Sequence, residues 1–318
     1  MWNSFTMGMS LAATWAWGAS FAVTLALFET LGIVPATIWV VMNIMALPIF
    51  GYIYGKLPSF KELKENCWFV KPSMVLLMVF STWMNMQALY TIALRTGIDS
   101  WDATVGTVIL SSSIIAMIAY GGLRWSILSD IWQYILMVIG VIILNFIAVN
   151  NFPQLSIEWE HIPFGLWIGL IKWEHIPFAL WIGFTLWAGP LLDAMHYERH
   201  AVAEKPREAF NIGGAFFAFY ILLVSILATV EGPQSFIYGI IMLFVVSMVS
   251  TSTLDSAASA LQYLVGKHRG MAVGAFSVAT WPLIVPMGVI NLFTFYGTFR
   301  TVIVALMFAV LYKRKLKW

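Results

Sequence analysis

The stretch Ser247-Met-Val-Ser-Thr-Ser-Thr-Leu-Asp-Ser-Ala-Ala-Ser259 places a dense row of hydroxyls and one carboxylate inside an apolar segment running from about Phe236 to Val265. Oxygen donors of this kind suit a hard, small cation such as sodium. On a helix, Ser252 and Ser256 share a face at i,i+4, and Asp255 lies one turn from Thr251 and Ser259. A packing seam, with each hydroxyl bonded to the carbonyl one turn back, would produce the same row of serines. A seam needs no carboxylate, so Asp255 favours a cation site. An ionisable group at membrane depth is costly and by default marks function.

Four other places carry polar chemistry. In Ser10-Leu-Ala-Ala-Thr-Trp-Ala-Trp-Gly-Ala-Ser20, small residues crowd around Gly18. They fit either close helix packing or a helix that unwinds mid-membrane and offers carbonyls to a cation and a solute. Trp187-Ala-Gly-Pro190 interrupts a later apolar run, since proline removes a backbone donor and clashes with the preceding turn. Broken helices in matching positions of two halves point to a transporter site. Asn85 and Gln87 lie deep in a run with no charge between Lys71 and Arg95, and suit either interhelical hydrogen bonds or contact with a polar solute. Asp130 is placed to cap a helix start or to line a cation exit path, roles that are compatible. His196-Tyr-Glu-Arg-His200 lacks the zinc-protease spacing and reads as a solvated loop. No nucleophile–base constellation, phosphate loop or paired-cysteine motif is present, so neither an enzyme nor a nucleic-acid binder is indicated.

The elements that must hold these residues are membrane helices. The 318 residues are 61% hydrophobic and 10% charged, with mean hydropathy +0.85. A soluble domain carries about 25% charged residues. Long continuous apolar runs exclude a β-barrel pattern. Runs of about 20 residues fall near 6–28, 33–54, 68–94, 103–121, 130–149, 163–192, 208–230, 235–264, 271–291 and 296–312. With both termini on one side, every one of the 17 basic residues except Arg95, Lys172 and Arg300 falls in alternate loops or the tail. The positive-inside rule makes that side cytoplasmic, with the protein in the plasma membrane. The expected fold is an all-α polytopic membrane domain spanning 1–318. Its ten helices form two inverted five-helix repeats (1–150 and 151–318), with the first and sixth helices broken. A 14-residue unit repeats in tandem across 157–184, as Ile157-Glu-Trp-Glu-His-Ile-Pro and Ile171-Lys-Trp-Glu-His-Ile-Pro show. It reads as a duplication that lengthens the sixth helix or adds an interfacial turn.

Several stretches, in order and at matching intervals, resemble the sodium/solute symporter family. They are Ser252-Thr-Leu-Asp-Ser256, Gly121-Gly-Leu-Arg124 with Ser129-Asp-Ile-Trp-Gln133, and Asp193-Ala-Met-His-Tyr-Glu-Arg199 followed by Lys205 and Ala209. Ala12-Ala-Thr-Trp15 is similar to the urea-carrying branch. Trp15 stands where the proline-carrying branch has an aspartate, and Glu198-Arg199 where Gln-Arg is usual. The chain begins at core helix one and stops after core helix ten. The resemblance implies sodium as coupling ion between helices one and eight, held by the carbonyls of Ala13, Ala16 and Val249 and the hydroxyls of Ser252 and Thr253. It also implies that Ser20 and the Trp187–Gly189 break face the solute, and that Asp130 matches a carboxylate on the sodium exit path, with Asp255 in support.

The expected function is sodium-coupled symport of a small polar solute across the bilayer by alternating access. Rival readings are a membrane sensor or scaffold that binds solute without carrying it, an inactive shortened carrier, and proton coupling in place of sodium. Urea, a short carboxylate, an amino acid and a sugar are all candidate solutes. No charge lies near the midplane of spans one, three or six, which favours a neutral or zwitterionic one.

Overall fold

The computed structural model describes residues 1–54, 67–150, 173–189, 192–229 and 235–313. The described residues form α1 (Ser4–Trp15), α2 (Gly18–Leu31), α3 (Ile33–Tyr54), α4 (Val70–Arg95) and α5 (Ser100–Asn150) in the first half. The second half contributes α6 (Ile176–Trp187), α7 (Ala194–Val202), α8 (Pro206–Thr229), α9 (Phe236–Val265), α10 (Lys267–Thr280) and α11 (Val289–Lys313). No strand is present among the described residues apart from an isolated bridge between Trp2 and Ala203. The protein is an all-α polytopic membrane protein.

Length and hydropathy alone mark six described helices as able to cross a membrane, or seven if the bent pair α1 and α2 counts as one span. Each of the ten predicted segments overlaps a described helix; the first is broken as expected, and two other places change shape. The first span is broken: α1 and α2 meet at 54° across Ala16 and Trp17. Spans four and five run together as α5, whose 51 residues are kinked at Gly122 (φ 57°, ψ −154°), a backbone region open essentially to glycine. The expected loop is one residue long, so Asp130 lies within α5 and caps nothing. Span nine ends as a helix at Thr280 and continues as 3₁₀ turns at Trp281–Leu283 and Val285–Met287. Pro282 and Pro286 cannot donate to an α-helical ladder, and Gly288 starts the last span earlier than expected. Of the tandem duplication, the first copy and Lys172 lie outside the described residues. The second copy forms a 3₁₀ turn at Trp173–His175 and the start of α6.

The second half of α5 shows how the bundle sorts its faces. Ile135, Leu136, Ile139, Ile142, Ile143 and Phe146 point outward at helical spacing, as a lipid-facing stripe does. The opposite stripe, Ser126, Asp130, Gln133, Met137, Val141 and Leu144, is buried and polar at one end. That polar end packs against α9, whose residues from Val249 to Leu261 are all buried. The same end of the bundle gathers several chain turns. Gln262 bonds the Ile118 carbonyl beside the kink, Ser259 bonds Glu198 of α7, and Tyr54 stacks near Tyr197. The exit of α7 pairs with Trp2 through two backbone hydrogen bonds, Trp2 N–H to the Val202 carbonyl and Glu204 N–H to the Trp2 carbonyl. Arg124, Lys205, Arg207, Lys267 and Arg269 all belong to segments at this end.

Candidate functional site

The break in the first span is held open by a side chain. Asn85 of α4 accepts from the Gly18 N–H at 2.7 Å, satisfying the first donor of α2, and its own amide donates back to the Ser81 carbonyl. Asn85 therefore positions the break rather than facing the cavity beside it. Gly18 is required by space, since a Cβ there would sit 2.0 Å from the Ser250 hydroxyl of α9. This close approach brings the break against the hydroxyl run.

Within that run the expected ligands diverge. Thr253 turns toward α1, where its hydroxyl lies 3.4 Å from the Thr14 carbonyl and 3.5 Å from the Val249 carbonyl. Both contacts are long for hydrogen bonds. Ala13, Ala16 and Val249 are fully buried at this crossing, and the Ala13 carbonyl accepts from Ala16 N–H at 3.2 Å. The donor set is hydroxyl and carbonyl oxygen, which fits a hard monovalent cation. Ser252 turns the other way and donates to Asp130 Oδ1 at 2.7 Å.

Asp130 and Asp255 belong to a second, largely buried network that includes a residue read from sequence as part of a solvated loop. His196-Tyr-Glu-Arg-His200 instead lies in α7, which Asp193 caps by accepting from Met195 N–H, and Arg199 is fully buried. Helix α7 tucks in beside α9 and α1, so this segment faces protein. The Arg199 guanidinium reaches Asp130 Oδ2 at 2.6 Å and also donates to Ser10, Ser126 and Ser256. Ser10 and Thr14 of α1 donate to the same Asp130 oxygen. Asp255 accepts from Ser126, Ser129 and Ser256. Glu198, next in chain, accepts from Ser259 with both oxygens. Three carboxylates thus surround one guanidinium, and buried negative charge in excess of its partner demands a cation or a proton.

A small cavity opens at the break itself, with room for about one water molecule. Trp15, Trp17 and Ser20 line it from the first span, Leu186 from the end of α6, and Phe293, Tyr296 and Arg300 from α11. Of the expected solute contacts, Ser20 is in this lining. Gln87 is elsewhere, donating to the Val285 carbonyl in the 3₁₀ turns. Trp187 donates to the Met42 carbonyl of α3, and Gly189 backs onto the Arg300 guanidinium. Sequence reading missed Arg199, Ser10 and the α11 residues. A signal existed for Arg300, a basic residue outside the alternating loop pattern.

No protein-family model matches this chain, and no curated protein matches it. Among solved structures it is similar to a Na+-coupled sialic acid symporter described in a substrate-bound, outward-open state that reveals a novel Na+ site. The likeness has a TM-score of 0.59 at 15% identity and covers 96% of this chain and 76% of that one. At that identity the likeness establishes the fold.

Proposed function

We propose that this protein is a sodium-coupled symporter of a small polar organic solute in the plasma membrane, with both termini cytoplasmic. The observation that carries the reading is the meeting of two interrupted spans at one cavity. The first span breaks at Ala16–Trp17 and the sixth stops at Trp187, and Trp15, Trp17 and Leu186 share the cavity wall. Discontinuous helices around a midplane site are how transporters of this architecture bind their cargo.

Sodium bridges spans one and eight at the Thr253 hydroxyl, with the carbonyls of Ala13, Ala16 and Val249 close by. This favours the arrangement in which the cavity accepts solute, because an ion shifts the equilibrium only by binding one state better. Asp130 and Asp255 lie between that site and the basic end of the bundle and offer the ion a route out. The Arg199–Asp130 pair closes that route until α7 moves away from α5. The chain is one transport domain, with residues 1–150 and 151–318 as its two repeats.

Purified protein in liposomes should take up at least one solute of a broad neutral, zwitterionic and anionic panel when sodium is high outside. Thr253→Ala should abolish the sodium dependence. Absence of sodium-driven flux for every solute would refute the proposal. Proton coupling is the second reading, favoured by Asp255, which has three hydroxyl partners and no cation of its own. Uptake that follows a pH gradient at zero sodium would select it.

A further inference from the structure

The cavity at the break has a one-sided chemistry. Three residues of its lining hold buried polar atoms with no hydrogen-bond partner: Trp17 Nε1, Tyr296 Oη and Arg300 Nε. All three side chains are almost wholly buried, Trp17 at 3% exposure and Tyr296 and Arg300 at 1%. Each of these groups can donate, and indole and guanidinium N–H can do nothing else. Arg300 is also a full positive charge. One of its nitrogens donates to the Thr185 carbonyl, and its carbon lies 4.9 Å from the Tyr296 ring centroid. Among the described residues no carboxylate pairs with it. Native proteins rarely leave a buried charge and two further donors unmet, so each such group calls for an explanation.

Resting on the transport reading above, we propose that the solute is a small organic carboxylate whose charge is taken up by Arg300, with Tyr296 and Trp17 donating to its oxygens. A single guanidinium matches one negative charge, and its N–H groups are placed for carboxylate oxygens. The rest of the lining, Trp15, Leu186 and Phe293, is apolar or aromatic and suits a carbon body more than a free phosphate once the cavity, here the size of one water, widens to admit it. The N-terminal end of α2, whose capping residue Trp17 and first-turn Ser20 line the same cavity, adds positive potential. The expectation of a neutral or zwitterionic solute considered spans one, three and six, whereas the charge enters from span ten.

The test is calorimetric titration of the purified protein in sodium chloride with acetate, lactate and benzoate, each against its uncharged amide, and with inorganic phosphate. At least one carboxylate should bind about tenfold or more tightly than its amide, the gain expected from a charged hydrogen bond. Arg300→Gln should erase that difference. Tyr296→Phe should weaken the carboxylate several-fold and leave the amide unchanged, and it decides the matter if Arg300→Gln does not fold. The proposal is overturned if amides or phosphate bind as well as the acids, if no acid of the panel binds, if the preference survives Arg300→Gln, or if Tyr296→Phe leaves carboxylate affinity unchanged. Carboxylate binding without sodium-driven uptake would sink the transport reading alone. Sodium-driven uptake of uncharged solutes only would sink this one alone.

Discussion

Among the described residues two arginines are buried, and their surroundings are opposite. Arg199 is saturated: a carboxylate, three hydroxyls and the Met195 carbonyl meet its nitrogens. Arg300 has one carbonyl, one ring face and an unmet N–H. A saturated charge binds helices together, because every partner lost on opening leaves a polar group without a bond. An unsaturated charge keeps its interaction energy for something that arrives later. The first is built as a latch and the second as a receptor, and the first-span break separates them.

The comparison breaks if the two arginines respond alike to loss of a partner or charge. The largest effect is expected at the latch. Asp130→Asn breaks the direct ion pair of Arg199 and should reduce stability by about 3–5 kcal/mol, while adding Arg199→Met should recover little of that loss, because Asp255 and Glu198 then lose their cation. Unfolding in mixed detergent micelles measures both. At the break, Gly18→Ala drives a methyl into the Ser250 hydroxyl and should lower stability by about 1–3 kcal/mol, with Ser250→Ala in the same chain restoring part of it. Asn85→Ala leaves the Gly18 N–H buried and unmet, for a loss of about 1–2 kcal/mol, read by the same unfolding assay. The smallest effect belongs to the receptor. Arg300→Gln removes a charge whose burial is itself costly, so stability should change by about 1 kcal/mol or less while the carboxylate's advantage over its amide disappears. A loss at Arg300 as large as that at Asp130 would erase the distinction.

Much of this arrangement was legible in the chain. The hydroxyls of Ser252 and Thr253 stand out because lipid penalises them, and the crowding of small residues around Gly18 marks the break for the same reason that it permits close approach. What could not be read is rotation. Ser252 and Thr253 are neighbours, yet they point to different helices, and nothing in their spacing says which faces α5 and which faces α1. Asn85 and Gln87 were read as either interhelical or solute-facing groups, and Trp187 as part of a solute-facing break. Their partners proved to be an N–H and two carbonyls supplied by other helices. Arg199 was hidden by its company: among histidines, a glutamate and nearby lysines, a basic residue reads as solvated until α7 is seen to fold inward. The start of the last span at Val289 was obscured because 3₁₀ turns are as apolar as the helices they join.

The short pairing of Trp2 with Val202 and Glu204 has a mechanical meaning. It pins the free end of α1 to the exit of α7, so the two half-helices that border the latch are fastened at their tips. A swing of one must carry the other along or shear two backbone hydrogen bonds. The moving part of this protein would then be a coupled pair, driven as one lever from a joint at residue 2.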